Sequence, residues 1–287
     1  MRPLLAILMS LAAGTAMFAT MSGEAHAAVA GCQPEKAAEK FPELAGLTIK
    51  LGADPSTPPY ATIDDKDQNK LVGSDIDLAA AVFDCLGLKH EVSKGSWPGL
   101  FPAVVSGQID LMLYLYYTPK RVAQGDFVVY MKSGSGAIVQ AGNPKNIRAE
   151  ADLCGKTVAA GLGTVEEKQL QALGEKCVAA GKSTINVMTS TDVPAGFRLV
   201  GSGRADAMIS DLPLINMMVK KNPETYAVGY SVVSDYEIGA AFKKGSPLAA
   251  AFQQGLAAIQ AAGLQKEIFA KYGIDPALEI PAMLKTK

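Results

Sequence analysis

A seven-residue phrase occurs twice in this chain. Ser106-Gly107-Gln108-Ile109-Asp110-Leu111-Met112 and Ser202-Gly203-Arg204-Ala205-Asp206-Ala207-Met208 share the pattern S-G-x-x-D-x-M. In both places the phrase follows a segment of helical spacing and opens an apolar run of strand length, so the two halves are expected to follow one plan. The first half reads as a strand at Leu47 to Leu51, a helix from Asp75 to Leu86 stopped by Gly87, and a strand at Lys89 to Val92. A short helix from about Pro98 to Ser106 and a strand at Ile109 to Leu113 complete it. The second half restarts with a strand at Lys156 to Ala160, and Thr164-Val165-Glu166-Glu167 fits the T-x-x-E pattern that opens a helix. A helix from Asp192 to Val200 and a strand from Ala205 to Ser210 follow. Strand and helix in alternation imply α/β lobes, each a mainly parallel sheet covered by helices. The chain closes with helical text, Pro247 to Ala262 and Leu264 to Tyr272, which has no sheet of its own to cover. It is expected to return to the first lobe, so that the chain crosses between lobes twice. Lobe 1 is then residues 28–133 and 238–287, and lobe 2 is residues 134–237.

Composition removes several classes of function. With 49% hydrophobic residues among 287, the chain is not disordered. A balance of 27 Lys+Arg against 28 Asp+Glu, without long runs of one sign, does not suit a nucleic-acid binder. Arg2, the apolar stretch Leu4 to Phe18 and the small residues of Ala25-His26-Ala27 predict a secretory signal over residues 1–27, and hence a periplasmic protein. Val29-Ala30-Gly31-Cys32 offers a rival, a lipoprotein box with Cys32 lipidated. Ser22, Gly23, Glu24 and His26 separate that box from the apolar core, which disfavours it. In an oxidising compartment, Cys32, Cys85, Cys154 and Cys177 are an even set that permits three pairings. Pairing neighbours along the chain joins Cys32 to Cys85 and Cys154 to Cys177. The cysteines lack C-x-x-C spacing and only His90 lies beyond the signal, so neither a metal nor a cofactor is expected.

In parallel sheets, ligands sit at the carboxyl ends of strands. Thr118-Pro119-Lys120-Arg121 follows the Ile109 strand, with Thr118 as helix cap and Pro119 at the first helical position. Arg121 would lie in the first turn, where a guanidinium can grip a carboxylate bidentately; the alternative is an ordinary solvated arginine. Asp211 ends the Ala205 strand, placed either to bind a cation or merely to cap the next helix. Gly163-Thr164, at another helix start, offers N–H donors to an anion. One Arg, one Asp and one such turn outline a site for a zwitterion.

The residues carrying these features stand in a familiar order. Gly73-Ser74-Asp75-Ile76-Asp77-Leu78-Ala79, Trp97-Pro98-Gly99-Leu100-Phe101-Pro102-Ala103, Ser106 to Asp110, Thr118 to Arg121, Gly155-Lys156-Thr157-Val158, Gly203 to Ala207 and Ser210-Asp211 span almost the whole mature chain. Together they resemble the family 3 solute-binding proteins of amino-acid ABC transporters. The resemblance implies a two-lobed periplasmic-binding-protein fold of type II, expected as a monomer, that closes on a small ligand and presents it to a membrane permease. It implies that Arg121 holds the ligand carboxylate and Asp211 its ammonium, with Gly163 and Thr164 adding carboxylate contacts. Trp97 would line the side-chain pocket, and Tyr60 stands where the family has the second aromatic of a Y-x-P-F segment.

There are departures from the family pattern. Thr57 replaces an aromatic that often stacks on the ligand, and Val165 replaces a frequent hydroxyl donor. Tyr114-Leu115-Tyr116-Tyr117 stands where small residues are usual, and the stretch from Asp110 to Arg121 is one residue shorter. Tyr114, Tyr116 and Tyr117 could build an aromatic wall beside Trp97 for an alkylated ammonium, or pack into the interlobe core. At least one, but not all three, is expected in the pocket, with Tyr114 and Tyr116 as candidates. The expectation is a binding protein rather than an enzyme. Two rivals stay open: an enzyme like the cyclohexadienyl dehydratase built on the same fold, with Glu166 as an acid near the cleft, and a sensory module that signals to a receptor.

Overall fold

The computed structural model describes residues 31–287, so the proposed signal segment and its cleavage site lie outside the described residues. In chain order the elements begin with α1 (Pro34–Lys40), β1 (Thr48–Ala53), β2 (Ser56–Thr57), β3 (Ala61–Ile63), β4 (Leu71–Val72), α2 (Ser74–Leu86) and β5 (Lys89–Lys94). Next come α3 (Trp97–Ser106), β6 (Leu111–Tyr116), α4 (Pro119–Val122), β7 (Gly125–Gln140), β8 (Thr157–Gly161), α5 (Val165–Ala179) and β9 (Asn186–Ser190). The chain ends with α6 (Val193–Gly201), β10 (Ala207–Asp211), α7 (Leu212–Lys221), β11 (Tyr226–Lys243), α8 (Pro247–Ala261), α9 (Leu264–Lys271) and β12 (Glu279–Lys285).

Among the described residues nine strands join in one sheet, in the order β5-β1-β6-β11-β7-β10-β8-β9, with β12 also on β7. Its two ends mirror each other. β5, β1 and β6 are parallel and meet antiparallel β11; β9, β8 and β10 are parallel and meet antiparallel β7. These are the two α/β lobes expected from the alternating text, in the type II arrangement that the family resemblance implies.

The repeated phrase has the same physical task in each half. Gly107 and Gly203 close α3 and α6 in the left-handed conformation, at φ +80° and +71°, where a side chain would be strained. Asp110 Oδ2 then accepts the N–H of Lys50 at 2.7 Å, and Asp206 Oδ2 accepts that of Thr157 at 2.9 Å. Each aspartate thus ties the incoming chain to the first strand of its own lobe. Met112 and Met208, the last residue of each phrase, are buried.

The links between lobes are the long strands β7 and β11, paired antiparallel from Lys243 opposite Gly125 to Tyr226 opposite Gln140, with register shifts along the way. The sequence reading recognised two crossings but not these strands, which at 16 and 18 residues run through both lobes and are far longer than the short strands it looked for. It also missed β9 and β12, gave the helix after Asp211 no extent, and placed the starts of β6 and β10 two residues early, within the turns that follow Gly107 and Gly203. The terminal helices do return to the first lobe: Phe252, Leu256 and Ile259 of α8 share a core with Val82, Phe83 and Leu86 of α2. A second core lies under α5, with Leu153, Val158, Leu170 and Cys177. Both disulfides take the neighbour pairing, Cys32–Cys85 and Cys154–Cys177. Each is an anchor, one holding the start of the described chain to α2 and the other holding α5 to the segment before β8.

Candidate ligand-binding cleft

A cavity of about 60 Å³ lies between the lobes at the carboxyl ends of their strands, room for a few waters. From the first lobe it is walled by Asp54, Thr57, Tyr60, Trp97, Tyr114, Tyr116 and Arg121. The second lobe adds Thr164, Val165 and Glu166 at the start of α5, Ser190 to Val193 after β9, and Ser210 and Asp211 at the end of β10.

Arg121 is placed by α4. Thr118 Oγ1 accepts the Arg121 N–H at 3.2 Å and Pro119 starts the turn, as the T-P-x-R text implies. The guanidinium donates to Tyr116 O at 3.0 Å and across the cleft to Gly163 O at 3.1 Å. Burial lowers its pKa, and the charge of Glu166 offsets part of that.

Asp211 takes the capping role that the sequence left open, and it also faces the cavity. Its Oδ1 caps α7 through the Leu214 N–H at 3.0 Å, and it also accepts from Tyr60 Oη at 2.7 Å. Tyr60 Oη lies 2.6 Å from Tyr114 Oη. Having one proton, which it gives to the carboxylate, Tyr60 accepts from Tyr114. The two rings stack with centroids 3.4 Å apart. Burial raises the pKa of Asp211, and the hydrogen bonds from Tyr60 and Leu214 oppose this. Both phenols are raised well above the ordinary range by burial and then by the charge of Asp211.

Glu166, 5% exposed, is a further carboxylate on this cavity. Burial raises its pKa; its own backbone N–H lowers it, the charge of Asp211 raises it, and the hydroxyls of Thr164 and Tyr116 lower it again. Asp54 also reaches the cavity, but its oxygens are committed to the Ser56 and Trp97 N–H groups at 2.8 and 2.7 Å. Ser190 Oγ is buried at the wall with no hydrogen-bond partner among the described residues, a group that a ligand could satisfy.

The structure gathers seven of the eight sequence-predicted residues, Arg121, Asp211, Trp97, Tyr60, Tyr114, Tyr116 and Thr164, on one cavity. Gly163 departs from the expectation. It does not line the cavity, its N–H is taken by Glu167 Oε2 at 2.7 Å, and its carbonyl faces Arg121. The glutamate of the T-x-x-E pattern therefore occupies the donor that was expected to meet an anion. Tyr117 turns away, edge-on to Phe127 with its hydroxyl on Lys287 O. Among the wall residues that sequence reasoning missed, Asp54 and Asp192 follow strand ends and Ser190 is the last residue of β9. Ser190 and Asp192 would have been found by the strand-end rule had β9 been read.

Comparison with known proteins agrees with this geometry. The family described as bacterial extracellular solute-binding proteins, family 3, matches residues 49–275. The chain belongs to that family. The L-cystine-binding protein TcyJ of Escherichia coli strain K12 is 28% identical over 228 residues, covering 78% of this chain and 82% of the relative. An ancestral arginine-binding protein bound to arginine superposes with a TM-score of 0.71 at 30% identity, over 78% of this chain and 97% of that one. The ancestral amino acid-binding protein AncCDT-1, a precursor of cyclohexadienyl dehydratase, does so with a TM-score of 0.69 at 27% identity, over 83% and 98%. Among the described residues of this family 3 protein no helix is long and apolar enough to cross a membrane.

Proposed function

We propose that this protein is the substrate-binding component of an ABC importer, binding an amino acid in the interlobe cleft and presenting it to a membrane permease. The observation that carries the reading is the placement of Arg121 and Asp211, one from each lobe, on a single cavity between the lobes. A ligand carboxylate on the planar guanidinium and a ligand ammonium on Asp211 would bridge the lobes, so binding energy is spent on closure. Residues 1–27 direct export to the periplasm, the protein works as a monomer, and the lobes divide at residues 133/134 and 237/238. The relatives' names support an amino acid as ligand but differ in which one, naming cystine and arginine.

The role is binding rather than catalysis. AncCDT-1 is itself described as an amino acid-binding protein, although it is a precursor of a dehydratase. A cage for a quaternary amine fits less well, because Tyr60 and Tyr114 spend a ring face on each other. Calorimetry against a panel of amino acids and quaternary amines tests the reading. Arg121→Ala and Asp211→Ala should each weaken amino-acid binding by about tenfold or more, since each strips a charged hydrogen bond from a desolvated ligand group. Trp97→Ala should alter which side chains are accepted. A silent Arg121→Ala would remove the amino-acid assignment.

A further inference from the structure

The cavity wall holds one cation, Arg121, and four carboxylates, Asp54, Glu166, Asp192 and Asp211. Two of the four are occupied by the fold. Asp54 receives backbone N–H groups on both oxygens, and half-buried Asp192 caps α6 through the Ala195 N–H at 2.7 Å, with Arg198 at 3.9 Å. Arg121 and Asp211 are claimed by the two backbone charges of an amino acid on the reading above. Glu166 remains. Its side chain is buried, it faces the cavity, and it takes part in none of the described ion pairs.

Arg121, the cation nearest to it on this wall, would be shared with the ligand carboxylate, so a neutral side chain would leave the Glu166 carboxylate enclosed with only part of a counter-charge when the cleft shuts, a costly arrangement. A positive side chain would balance it. We infer that Glu166 sets the charge selectivity of the cleft, and that the ligand is an amino acid whose side chain carries a positive charge. The inference rests on the amino-acid reading. It adds a residue, on the second lobe at the second position of α5, that discriminates among amino acids. Glu167, its neighbour, cannot serve, because its carboxylate is bound to the Gly163 N–H at 2.7 Å.

The test compares arginine with citrulline, which has nearly the same shape and a neutral urea in place of the guanidinium, by calorimetry on the exported protein. Wild type should prefer arginine by about thirtyfold or more, the scale of one buried charge pair. Glu166→Gln, which keeps the shape, should reduce that preference to within about threefold, by weakening arginine and relieving the cost that the enclosed carboxylate imposes on citrulline. Wild type binding both ligands equally overturns the inference even if the variant does not fold. So does an equal loss for both ligands in Glu166→Gln. Both results leave the amino-acid reading intact. If no amino acid binds at all, that reading and the inference fall together.

Discussion

Tyr60→Phe deletes a single hydroxyl that joins the lobes without any ligand. Tyr60 belongs to the first lobe and Asp211 to the second, and their bond of 2.7 Å stands beside the Arg121–Gly163 bond of 3.1 Å as a tie across the cleft. The ring stays in place, because its stacking on Tyr114 does not depend on the hydroxyl. A hydrogen bond to a charged group contributes about 1.5 to 3 kcal/mol. In the variant the Tyr114 hydroxyl, released from Tyr60 Oη, can turn its proton to Asp211 and recover part of the loss, so the lower end of that range applies. At 1.4 kcal/mol per decade, the closed fraction of the ligand-free protein should fall relative to the open one by about tenfold. Small-angle scattering without ligand should therefore show a larger radius of gyration for Tyr60→Phe than for wild type, and saturating ligand should bring both to the same compact value. Superimposable ligand-free curves would refute the idea that this hydroxyl holds the cleft shut.

Stability should also respond to pH in an unusual direction. Burial raises Asp211, Glu166 and Asp75 above the ordinary carboxylate range, Asp75 with help from the charge of Asp211. The folded protein then binds more protons than the unfolded chain between that range and the raised values, so these groups stabilise it as pH falls and the contribution is lost as pH rises through their folded pKa values. The melting temperature of the ligand-free protein should climb from neutral pH toward about pH 5, and less so in Glu166→Gln/Asp211→Asn; a steady fall in wild type would contradict the assignment. For the second disulfide, the ring of 23 residues predicts a cost of about 3 kcal/mol when Cys154 and Cys177 are both changed to Ser. Urea unfolding would measure this, and non-reducing peptide mapping should still recover Cys32 joined to Cys85.

What was legible in the sequence is local chemistry. Gly87 and Gly107 end helices, Thr118 and Thr164 begin them, and Asp211 ends an apolar strand; each is decided within a few residues, so the text suffices, although the stop of α6 read at Gly201 falls at Gly203. Arg121 and Asp211 were found because strand ends in this architecture converge on one crevice. Where a strand was not recognised, its site residues were lost with it, as Ser190 and Asp192 show. β9 escaped because Asn186-Val187-Met188-Thr189-Ser190 is largely half-exposed and lacks the apolar run of β6 or β10.

The tyrosine-rich stretch shows the limit of local reading. Tyr114 adopts φ +60°, a conformation costly for a bulky side chain, where β6 shifts register against β11 between Gly239 and Ala241. Such a residue stores about 1 to 3 kcal/mol and persists only if its surroundings hold it. They do: its N–H donates to Tyr130 Oη at 3.2 Å, its ring lies on Tyr60, and its hydroxyl donates to Tyr60 Oη. These partners are 16 and 54 residues away in the chain, beyond any pattern of spacing. The same bulge turns Tyr116 toward the cavity and leaves Tyr117 on the opposite side against Phe127. The outcome for the three tyrosines of this stretch was therefore set by contacts between distant segments, and Tyr114 and Tyr116 reach the cleft where the bulge redirects the strand.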